Sequence, residues 1–211
     1  MAVASKARPV MRRKLVLASN NAGKVRELQA LISTSGFEII PQGALGIPEA
    51  EETGASFVEN ALIKAYHAAR HSGLPAIADD SGLEVDALGG EPGVHSARYA
   101  GPAASDDDNI DRLLAALDGV EAGRRRARFR CVMVFVRDAE DTDPLVAEGC
   151  WEGWIGENRR GSGGFGYDPV FIVPGTGLSA AELPPEDKNR LSHRGQAAAV
   201  LASRLRALTG G

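Results

Sequence analysis

Short apolar runs alternate with longer amphipathic stretches along the chain, which predicts a protein that mixes strands and helices. Lys14–Ala18 (KLVLA) and Phe37–Ile40 are apolar runs of strand length. Between them, Lys24–Leu31 places apolar residues at helical spacing. The chain is therefore predicted to open as strand, polar loop, helix and strand.

A helix-start signal follows an acidic loop over Ile47–Gly54. Ser56, with Glu59 three positions later, forms a capping box. The helix that begins there is predicted to run to about His71 and to stop at Gly73, because glycine is the usual residue just past a helix end.

The third predicted strand leads into a pair of acids. Pro75–Ala78 is the apolar run, and Asp79 and Asp80 come directly after it. Ser81-Gly82 is predicted to form a tight bend, and Leu83–Leu88 is predicted to continue extended. An acid pair is thus expected at the carboxyl end of a buried strand.

The second half of the chain adds further strands and helices. A helix is predicted to begin at Ser105, where the three aspartates Asp106–Asp108 complement the helix dipole rather than bind metal. The other predicted elements are strand Arg126–Val136; Leu145–Ile155 as one or two strands with a turn near Glu152-Gly153; strand Val170–Val173; and helix Ser192–Leu208 with Val200, Leu201, Leu205 and Leu208 facing inward. Together these elements predict one mixed sheet with flanking helices, in a single domain over residues 14–211 behind a loose tail, residues 1–13.

Composition and charge narrow the function classes. The chain has 211 residues and a formal net charge of -4, which argues against a protein that grips a nucleic-acid backbone with a basic face. No apolar run reaches transmembrane length, and residues 1–13 lack the apolar core of a signal peptide. Cys131 and Cys150 both fall in apolar stretches and are predicted to be reduced core thiols. We therefore expect a cytoplasmic protein without a nucleic-acid or membrane partner.

The first candidate site is the polar loop after the first strand, Ser19–Lys24 (SNNAGK). Free N–H groups at a helix start attract anions, and Lys24 adds a positive charge at the same end. Ser19 and Asn20 offer further hydrogen bonds. The loop lacks the Walker spacing, so an ordinary capped turn and a phosphate site both stay open on these residues alone.

Asp79 and Asp80 form the second candidate site. Neighbouring side chains of a strand point to opposite faces, so the two acids are expected to do different jobs, one of them binding a hard cation. Glu49, Glu51 and Glu52 supply the other dense acidic loop. One glutamate and one aspartate, together with phosphate oxygens, would complete a magnesium site; solvated acids in a turn and a loop are the structural alternative.

Aromatic, acidic and basic residues near the C-terminus form the third candidate site. In the segment GGFGYDP, Phe165 and Tyr167 offer flat faces for a base, and Asp168 offers an acceptor at its edge. His193 and Arg194 lie in the first turn of the last predicted helix, where cations oppose the helix dipole. A polar or anionic ligand would resolve that conflict; ordinary surface charge is the alternative.

Five ordered segments resemble the inosine triphosphate pyrophosphatase family, over about residues 14–208. The segments are SNNAGK (19–24), EETG with FVENA downstream (51–61), IADDSGLEVDALGGEPGVHSARYAG (77–101), GGFGYDP (163–169) and SHR (192–194). Ser19 stands where that family usually has threonine, and it keeps the hydroxyl group.

The resemblance implies a fold, a reaction and a set of roles. The implied fold is α/β: an elongated mixed β-sheet with flanking helices that form two lobes around a central cleft. The implied reaction is Mg²⁺-dependent hydrolysis of a non-standard purine nucleoside triphosphate (ITP, dITP or XTP) to the monophosphate and pyrophosphate, by a homodimer. Asp80 would be the catalytic acid-base and, with Glu51, a metal ligand. The implied substrate contacts are Ser19, Asn20, Asn21, Ala22, Gly23, Lys24, Ser81, Phe165, Gly166, Tyr167, Asp168, Lys188, His193 and Arg194.

Two other functions fit the same residues. One is a Maf-like pyrophosphatase of pyrimidine or modified nucleotides, and the other is a nucleotide-binding module without enzymatic activity. The acid pair at Asp79 and Asp80 argues against the binding module, because binding alone gains nothing from negative charge beside phosphates.

Overall fold

A six-stranded mixed sheet runs through the molecule. The computed structural model of the chain describes residues 13–21, 23–25, 28–29 and 37–209. The strands are β1 (Arg13–Leu17), β2 (Phe37–Pro41), β3 (Ala76–Val85), β4 (Arg126–Val136), β5 (Leu145–Ile155) and β6 (Phe171–Ile172). Their order across the sheet is β2-β1-β3-β4-β5-β6. β1 lies parallel to β2 and β3, and the pairs from β3 to β6 are antiparallel, which confirms the predicted mixed sheet.

Helices flank the sheet. They are α1 (Phe57–Ser72), α2 (Asp106–Ala116), α3 (Pro185–Leu191) and α4 (His193–Thr209). Residues 23–25 and 28–29 are also helical, in agreement with the first predicted helix, whose other residues lie outside the described ones. The predicted tail lies outside them too, except for Arg13, the first residue of β1. Within the described ranges, no helix combines the length and apolar character needed to cross a membrane.

The ends of α1 follow the predicted signals. Ser56 Oγ accepts a hydrogen bond from Glu59 N over 3.2 Å, and Gly73 ends the helix in the left-handed region at φ 66°. Glu59 Oε2 accepts from Ala55 N at 2.6 Å, one residue before the cap, and Asn60 Oδ1 accepts from the last residue of the acidic loop at 2.8 Å. These bonds fix the acidic loop against the start of α1.

Alternate residues of the central strands pack against helices on opposite faces. One face forms a cluster with α4: Leu15, Leu17, Ile77, Met133, Phe135, Leu201 and Leu205. The opposite face forms a cluster with α1: Val16, Ala76, Ala78, Val132, Val134, Ala61 and Ala65. A third cluster forms with α2 further along the strands: Leu83, Val85, Phe129, Trp151, Ile110 and Leu113. Asp79–Ser81 is the polar part of β3 between these apolar regions, so the acid pair lies where they meet.

β3 continues through the position of the predicted bend. Ser81-Gly82 extends the antiparallel ladder with β4, so the predicted turn there is wrong. Crowding explains the glycine instead, because a Cβ on Gly82 would lie 2.3 Å from the carbonyl oxygen of Gly93. β3 ends at Val85, and a 3-10 turn over Asp86–Leu88 replaces the predicted extended chain.

β5 is likewise one unbroken strand. The turn predicted near Glu152-Gly153 is wrong, since both residues pair with β4 in regular register. A Cβ on Gly153 would lie 2.5 Å from Phe171 Cζ, so glycine admits the ring of the neighbouring strand. The alternation of β5 exposes Cys150, which corrects its prediction as a core thiol, whereas Cys131 is buried as predicted.

The buried face of α4 is rotated from the predicted one. Leu201 and Leu205 are buried as predicted, but Val200 is 40% exposed and Leu208 is 49% exposed, so the inward prediction is wrong for those two. Ala197, one turn before Leu201, is also buried. Ala197, Leu201 and Leu205 are spaced four residues apart and form the face of α4 that packs on the sheet.

Asp141, in the loop after β4, provides a test of stability against pH. Its carboxylate accepts hydrogen bonds from Arg137 N (2.8 Å), Arg137 Nε (3.0 Å) and Asp143 N (3.0 Å). The bonds from Arg137 lower the pKa of Asp141 from 3.8 to about 2. This stabilisation is therefore complete above pH 3.8 and is lost as the pH falls through about 2.

We expect Asp141→Asn to lower the free energy of unfolding at pH 7 by about 1–3 kcal/mol. The difference from the wild type should shrink between pH 5 and pH 3, as measured by denaturant titration at each pH. Asp118→Asn, an exposed carboxylate, is the control. A deficit that stays the same from pH 7 to pH 3 would contradict this account.

Candidate active site

Two cavities meet beside the polar segment of β3. The inner pocket lies between Phe165 and the third apolar cluster, and the outer cleft lies between the loop after β1 and the acidic loop. Asn21, Lys24 and Ala97 line both cavities, so one elongated ligand can span them. The predicted residues that line the outer cleft are Ser19, Asn20, Asn21, Lys24 and Glu51. Those that line the inner pocket are Asn21, Lys24, Ser81, Phe165, Gly166, Tyr167, Asp168, Lys188, His193 and Arg194.

The loop after β1 is held by its own side chains. Asn21 Oδ1 accepts hydrogen bonds from Gly23 N (2.9 Å) and Lys24 N (3.1 Å), which caps the helix that follows. Asn20 Nδ2 donates to Glu49 Oε1 at 3.0 Å and ties the loop to the acidic loop. Ala22 lies outside the described residues. Asn21 therefore already occupies two of the N–H groups that could attract an anion at this helix start. The positive charge that this loop presents to the cleft comes from Lys24.

Asp79 and Asp80 point to opposite faces of β3, as expected for neighbours on a strand. Asp79 faces α4, and its Oδ2 lies 2.8 Å from Lys24 Nζ. Asp80 faces α1, where Oδ1 lies 2.9 Å from Lys64 Nζ and Oδ2 accepts from Asn60 Nδ2 at 3.4 Å. Both carboxylates are buried, with exposures of 1% and 6%, so each depends on the cation beside it.

Lys64 bridges the acidic loop and the acid pair. Its Nζ lies 2.7 Å from Glu52 Oε1 as well as 2.9 Å from Asp80 Oδ1, so it covers Asp80 from the cleft. Arg98 Nη1 lies 3.5 Å from the other oxygen of Glu52. Glu51, the predicted metal ligand, is exposed along the cleft. Glu52 is therefore the glutamate that shares a cation with Asp80.

The charges of this cluster depend on one another. Burial raises the pKa of Asp80, and Lys64 only partly offsets this. Burial opposes the charge of Lys64, but Asp80, Asp79 and Glu52 outweigh it and raise the pKa of the lysine. Asp79 is also buried, yet Lys24 and Arg194 hold the pKa of its carboxyl well below the ordinary value. The acid pair thus contains one strongly ionised carboxylate and one that takes up a proton more readily.

The inner pocket contains an aromatic ring with two cations beside it and a buried ion pair. Lys188 Nζ and the guanidinium of Arg194 lie 4.8 and 5.0 Å from the ring centroid of Phe165. Asp168 Oδ2 accepts from Lys188 Nζ (2.6 Å) and from Phe165 N (2.8 Å). Tyr167 is buried and donates its hydroxyl to the carbonyl of Ser96 at 2.8 Å. Phe165 is thus a half-buried ring of the pocket wall, whereas Tyr167 is fixed in the core.

His193 lies in the pocket wall as a neutral ring. It stacks on Phe129 with centroids 4.8 Å apart and planes 14° apart. Burial, followed by the charges of Arg194 and Lys188, lowers its pKa well below 6.5. Its Nδ1 makes no hydrogen bond to any residue that the structure describes. The predicted conflict with the helix dipole is therefore reduced at His193, and Arg194 faces Asp79 with Nε 3.8 Å from Oδ2.

Several site residues were not predicted from the sequence. Lys64 and Asn60 lie on the face of α1 that meets Asp80, and Phe129 lies within the predicted core strand β4. Asp106 lines the pocket and accepts a hydrogen bond from Gly166 N at 2.7 Å. Asp108 forms the capping box with Ser105 at the same helix start. A lysine one turn after a capping box is a common sequence feature, so nothing marked Lys64 in advance.

A family match covers most of the chain. The sequence profile described as the Ham1 family matches residues 15–204. The chain belongs to the Ham1 family. A curated relative from Methylococcus capsulatus, described as a dITP/XTP pyrophosphatase, is 97% identical over 201 residues, covering 95% of this chain and 100% of the relative. One from Thioalkalivibrio sulfidiphilus with the same description is 59% identical over 192 residues, covering 91% and 98%. The resemblance inferred from the five segments is thereby confirmed.

Solved Ham1 proteins share the fold. A Ham1 protein from Coxiella burnetii aligns with a TM-score of 0.87 at 47% identity, covering 94% of this chain and 100% of that one. The Ham1 protein from Staphylococcus aureus aligns with a TM-score of 0.83 at 39% identity, covering 93% and 100%. The predicted α/β class with a mixed sheet is therefore the Ham1 fold.

Proposed function

We propose that the chain hydrolyses non-standard purine nucleoside triphosphates (ITP, dITP and XTP) to the nucleoside monophosphate and pyrophosphate. Two relatives at 97% and 59% identity are described as dITP/XTP pyrophosphatases. The observation on this chain that carries the proposal is the junction of the two cavities, where an aromatic pocket opens into a cleft lined by Lys24, Lys64 and acids. A purine nucleotide has this same division into a flat base and a charged phosphate chain.

The base belongs in the inner pocket and the phosphates in the outer cleft. Phe165 offers a ring face, and Asp168, Lys188 and Arg194 offer polar groups around it. Lys24 lines both cavities, so it contacts the phosphates nearest the nucleoside. The scissile α–β phosphate bond then lies beside β3, near Asp80.

The donor set at the cleft fits a magnesium ion shared with the substrate. Lys64 Nζ already places a positive charge between Glu52 Oε1 and Asp80 Oδ1. Among the described residues there is no group of three or more His, Cys, Asp or Glu side chains that could hold an ion by itself. Two carboxylates with phosphate oxygens and water are a usual set for Mg²⁺. We therefore assign Glu52 and Asp80 as the protein ligands and place Glu51, the predicted ligand, at the rim.

Matched substitutions separate the two glutamates. We expect Glu52→Gln to raise the Mg²⁺ concentration for half-maximal rate by about tenfold or more. Glu51→Gln should change it little, because that side chain is exposed and Lys64 contacts its neighbour. Mg²⁺ titrations of the rate of ITP hydrolysis measure both. A larger shift for Glu51→Gln would return the metal to the residue first predicted.

We assign Asp80 the role of base towards water, on the arrangement in which the substrate and its ion take over the contacts of Lys64. Water attacks the α-phosphorus, Asp80 takes the proton, and the bond to the bridging oxygen of the β-phosphate breaks to release pyrophosphate. Burial raises the pKa of Asp80, which makes the carboxylate a stronger base. When bound, Mg²⁺ screens the phosphates and lowers the pKa of its water. Lys24 stabilises negative charge on the phosphates.

Donors in the inner pocket account for the discrimination against adenine. Inosine and xanthosine carry a 6-oxo acceptor where adenine carries an amino donor. Lys188 and Arg194 are donors only, so they can donate hydrogen bonds to the oxo group but leave adenine's amino group unpaired. Such a mismatch costs about 1–3 kcal/mol when buried.

We expect Lys188→Ala to reduce the preference for ITP over ATP by about tenfold. The variant removes the donor that Asp168 holds at 2.6 Å. Values of kcat/KM for the two nucleotides, taken side by side, give the preference. Arg190→Ala, an exposed cation of the same helix, is the matched control. Unchanged relative rates in Lys188→Ala would remove this lysine from base recognition.

Pyrophosphate release across a panel of nucleotides tests the function. The panel comprises ITP, dITP, XTP and the four common ribonucleoside triphosphates, each with Mg²⁺ and with a chelator. We expect pyrophosphate from the first three with Mg²⁺ and none with the chelator. Preference for a pyrimidine or modified nucleotide would favour a Maf-like pyrophosphatase, and stoichiometric binding without product would favour a binding module.

We also propose that the protein is a cytoplasmic homodimer. The nucleotide pool on which such an enzyme acts is cytoplasmic, and members of the inosine triphosphate pyrophosphatase family are usually dimers. Light scattering on the protein as it elutes from a size-exclusion column measures its molar mass and therefore its assembly state. A mass equal to that of one chain, 22.2 kDa, at assay concentration would contradict the dimer.

A further inference from the structure

Asp79 lies between the two cavities and contacts a cation of each. Its side chain is 1% exposed. Its Oδ2 lies 2.8 Å from Lys24 Nζ and 3.8 Å from Arg194 Nε, and it accepts a hydrogen bond from Ser81 Oγ at 3.1 Å. Lys24 lines both cavities and extends the series to the outer cleft, and Arg194 lines the inner pocket. One carboxylate oxygen is thus shared by a cation on the phosphate side and a cation on the base side.

The same contacts continue to the aromatic platform. The guanidinium of Arg194 lies 5.0 Å from the ring centroid of Phe165. Phe165, Arg194, Asp79 and Lys24 therefore form an unbroken series from the base pocket to the phosphate cleft. Asp79 makes its two cation contacts on the face of β3 opposite Asp80.

A purely structural role does not account for the carboxylate. Asp79 Oδ1 is buried and makes no hydrogen bond to any residue that the structure describes. A buried acceptor without a partner is unfavourable for folding. A charge kept at that cost is explained when both cations must be held in defined positions at the site.

We infer that Asp79 is a positioning residue that anchors Lys24 and Arg194 together, so that base recognition and phosphate binding share one support. The inference rests on the proposed placement of the base in the inner pocket and the phosphates in the outer cleft. Asp79 itself is covered by Lys24 and takes no part in the reaction. Loss of its charge releases both cations and weakens both halves of the site.

Separate ligands for the two halves test this. Inosine reports on the inner pocket and inorganic pyrophosphate on the outer cleft, each titrated by calorimetry in the presence of Mg²⁺, because neither is a substrate of the proposed reaction. We expect Asp79→Asn to weaken both affinities by about tenfold. With Mg²⁺ and ITP, the KM should rise while kcat changes less. Asp118→Asn, an exposed carboxylate, is the control and should change none of these quantities.

The outcomes distinguish this role from others. Asp79→Glu keeps the charge and should recover part of both affinities, and it also serves if the asparagine variant proves unstable. Loss of pyrophosphate binding alone, or unchanged binding of both ligands in a less stable variant, would overturn the shared anchor. Wild-type protein that bound neither ligand would instead contradict the placement of the nucleotide, and this inference with it.

Discussion

Asp80→Asn should leave the fold intact and lower the turnover of ITP by about 10²–10⁴-fold. Asparagine has the same shape, so the strand ladder with β4 is retained. It cannot take a proton from water, and its neutral oxygen is a poorer partner for a cation than the carboxylate that now lies 2.9 Å from Lys64. Steady-state kcat with saturating Mg²⁺ measures the loss, and thermal unfolding checks the fold.

Asp86→Asn is the matched control for this prediction. It changes an exposed carboxylate just beyond the end of β3 and should retain the wild-type rate. An Asp80→Asn enzyme that kept near wild-type turnover would rule out Asp80 as the base.

Gly149→Ala should be among the most destabilising single changes in the chain, by about 3 kcal/mol. A Cβ at this position of β5 would lie 2.0 Å from the carbonyl oxygen of His193 and 2.8 Å from Ala197 N. Both are backbone atoms of α4, so the whole helix has to move away from the sheet. Because His193 and Arg194 begin that helix, the inner pocket should be disrupted as well.

Denaturant unfolding of this variant measures the first effect, and kcat/KM for ITP measures the second. Gly123→Ala is the control, since a Cβ there meets no atom of the described residues within 4 Å. Equal stability of the two alanine variants would show that α4 does not pack this closely on β5.

The elements of the fold follow from local patterns, and the errors come from tertiary contacts. The capping residues Ser56 and Gly73 defined α1 in the sequence because they act within one turn of the chain. The predicted turns at Ser81-Gly82 and Glu152-Gly153 were wrong because those glycines serve close packing of the backbone of Gly93 and the ring of Phe171. A glycine looks the same in sequence whether it permits a turn or a close approach.

The sequence predicted which segments form the site more accurately than which side chains contact one another there. The predicted residues within the described ranges line the two cavities, except Gly23, which lies in the loop between capped N–H groups, and Asp80, which Lys64 covers. The choice among three glutamates in one loop required the position of Lys64, which depends on how α1 packs on β3. Spacing along the chain carries no information on that distance.

The ammonium group of Lys64 also affects the stability of the fold when no metal ion is bound. That internal countercharge between Glu52 and Asp80 offsets the repulsion between the two acids when no ion is bound. The folded state then needs no resident metal, and a chelator should abolish the activity without unfolding the protein. Such an enzyme can take its magnesium from the incoming nucleotide, which already carries the ion in the cell.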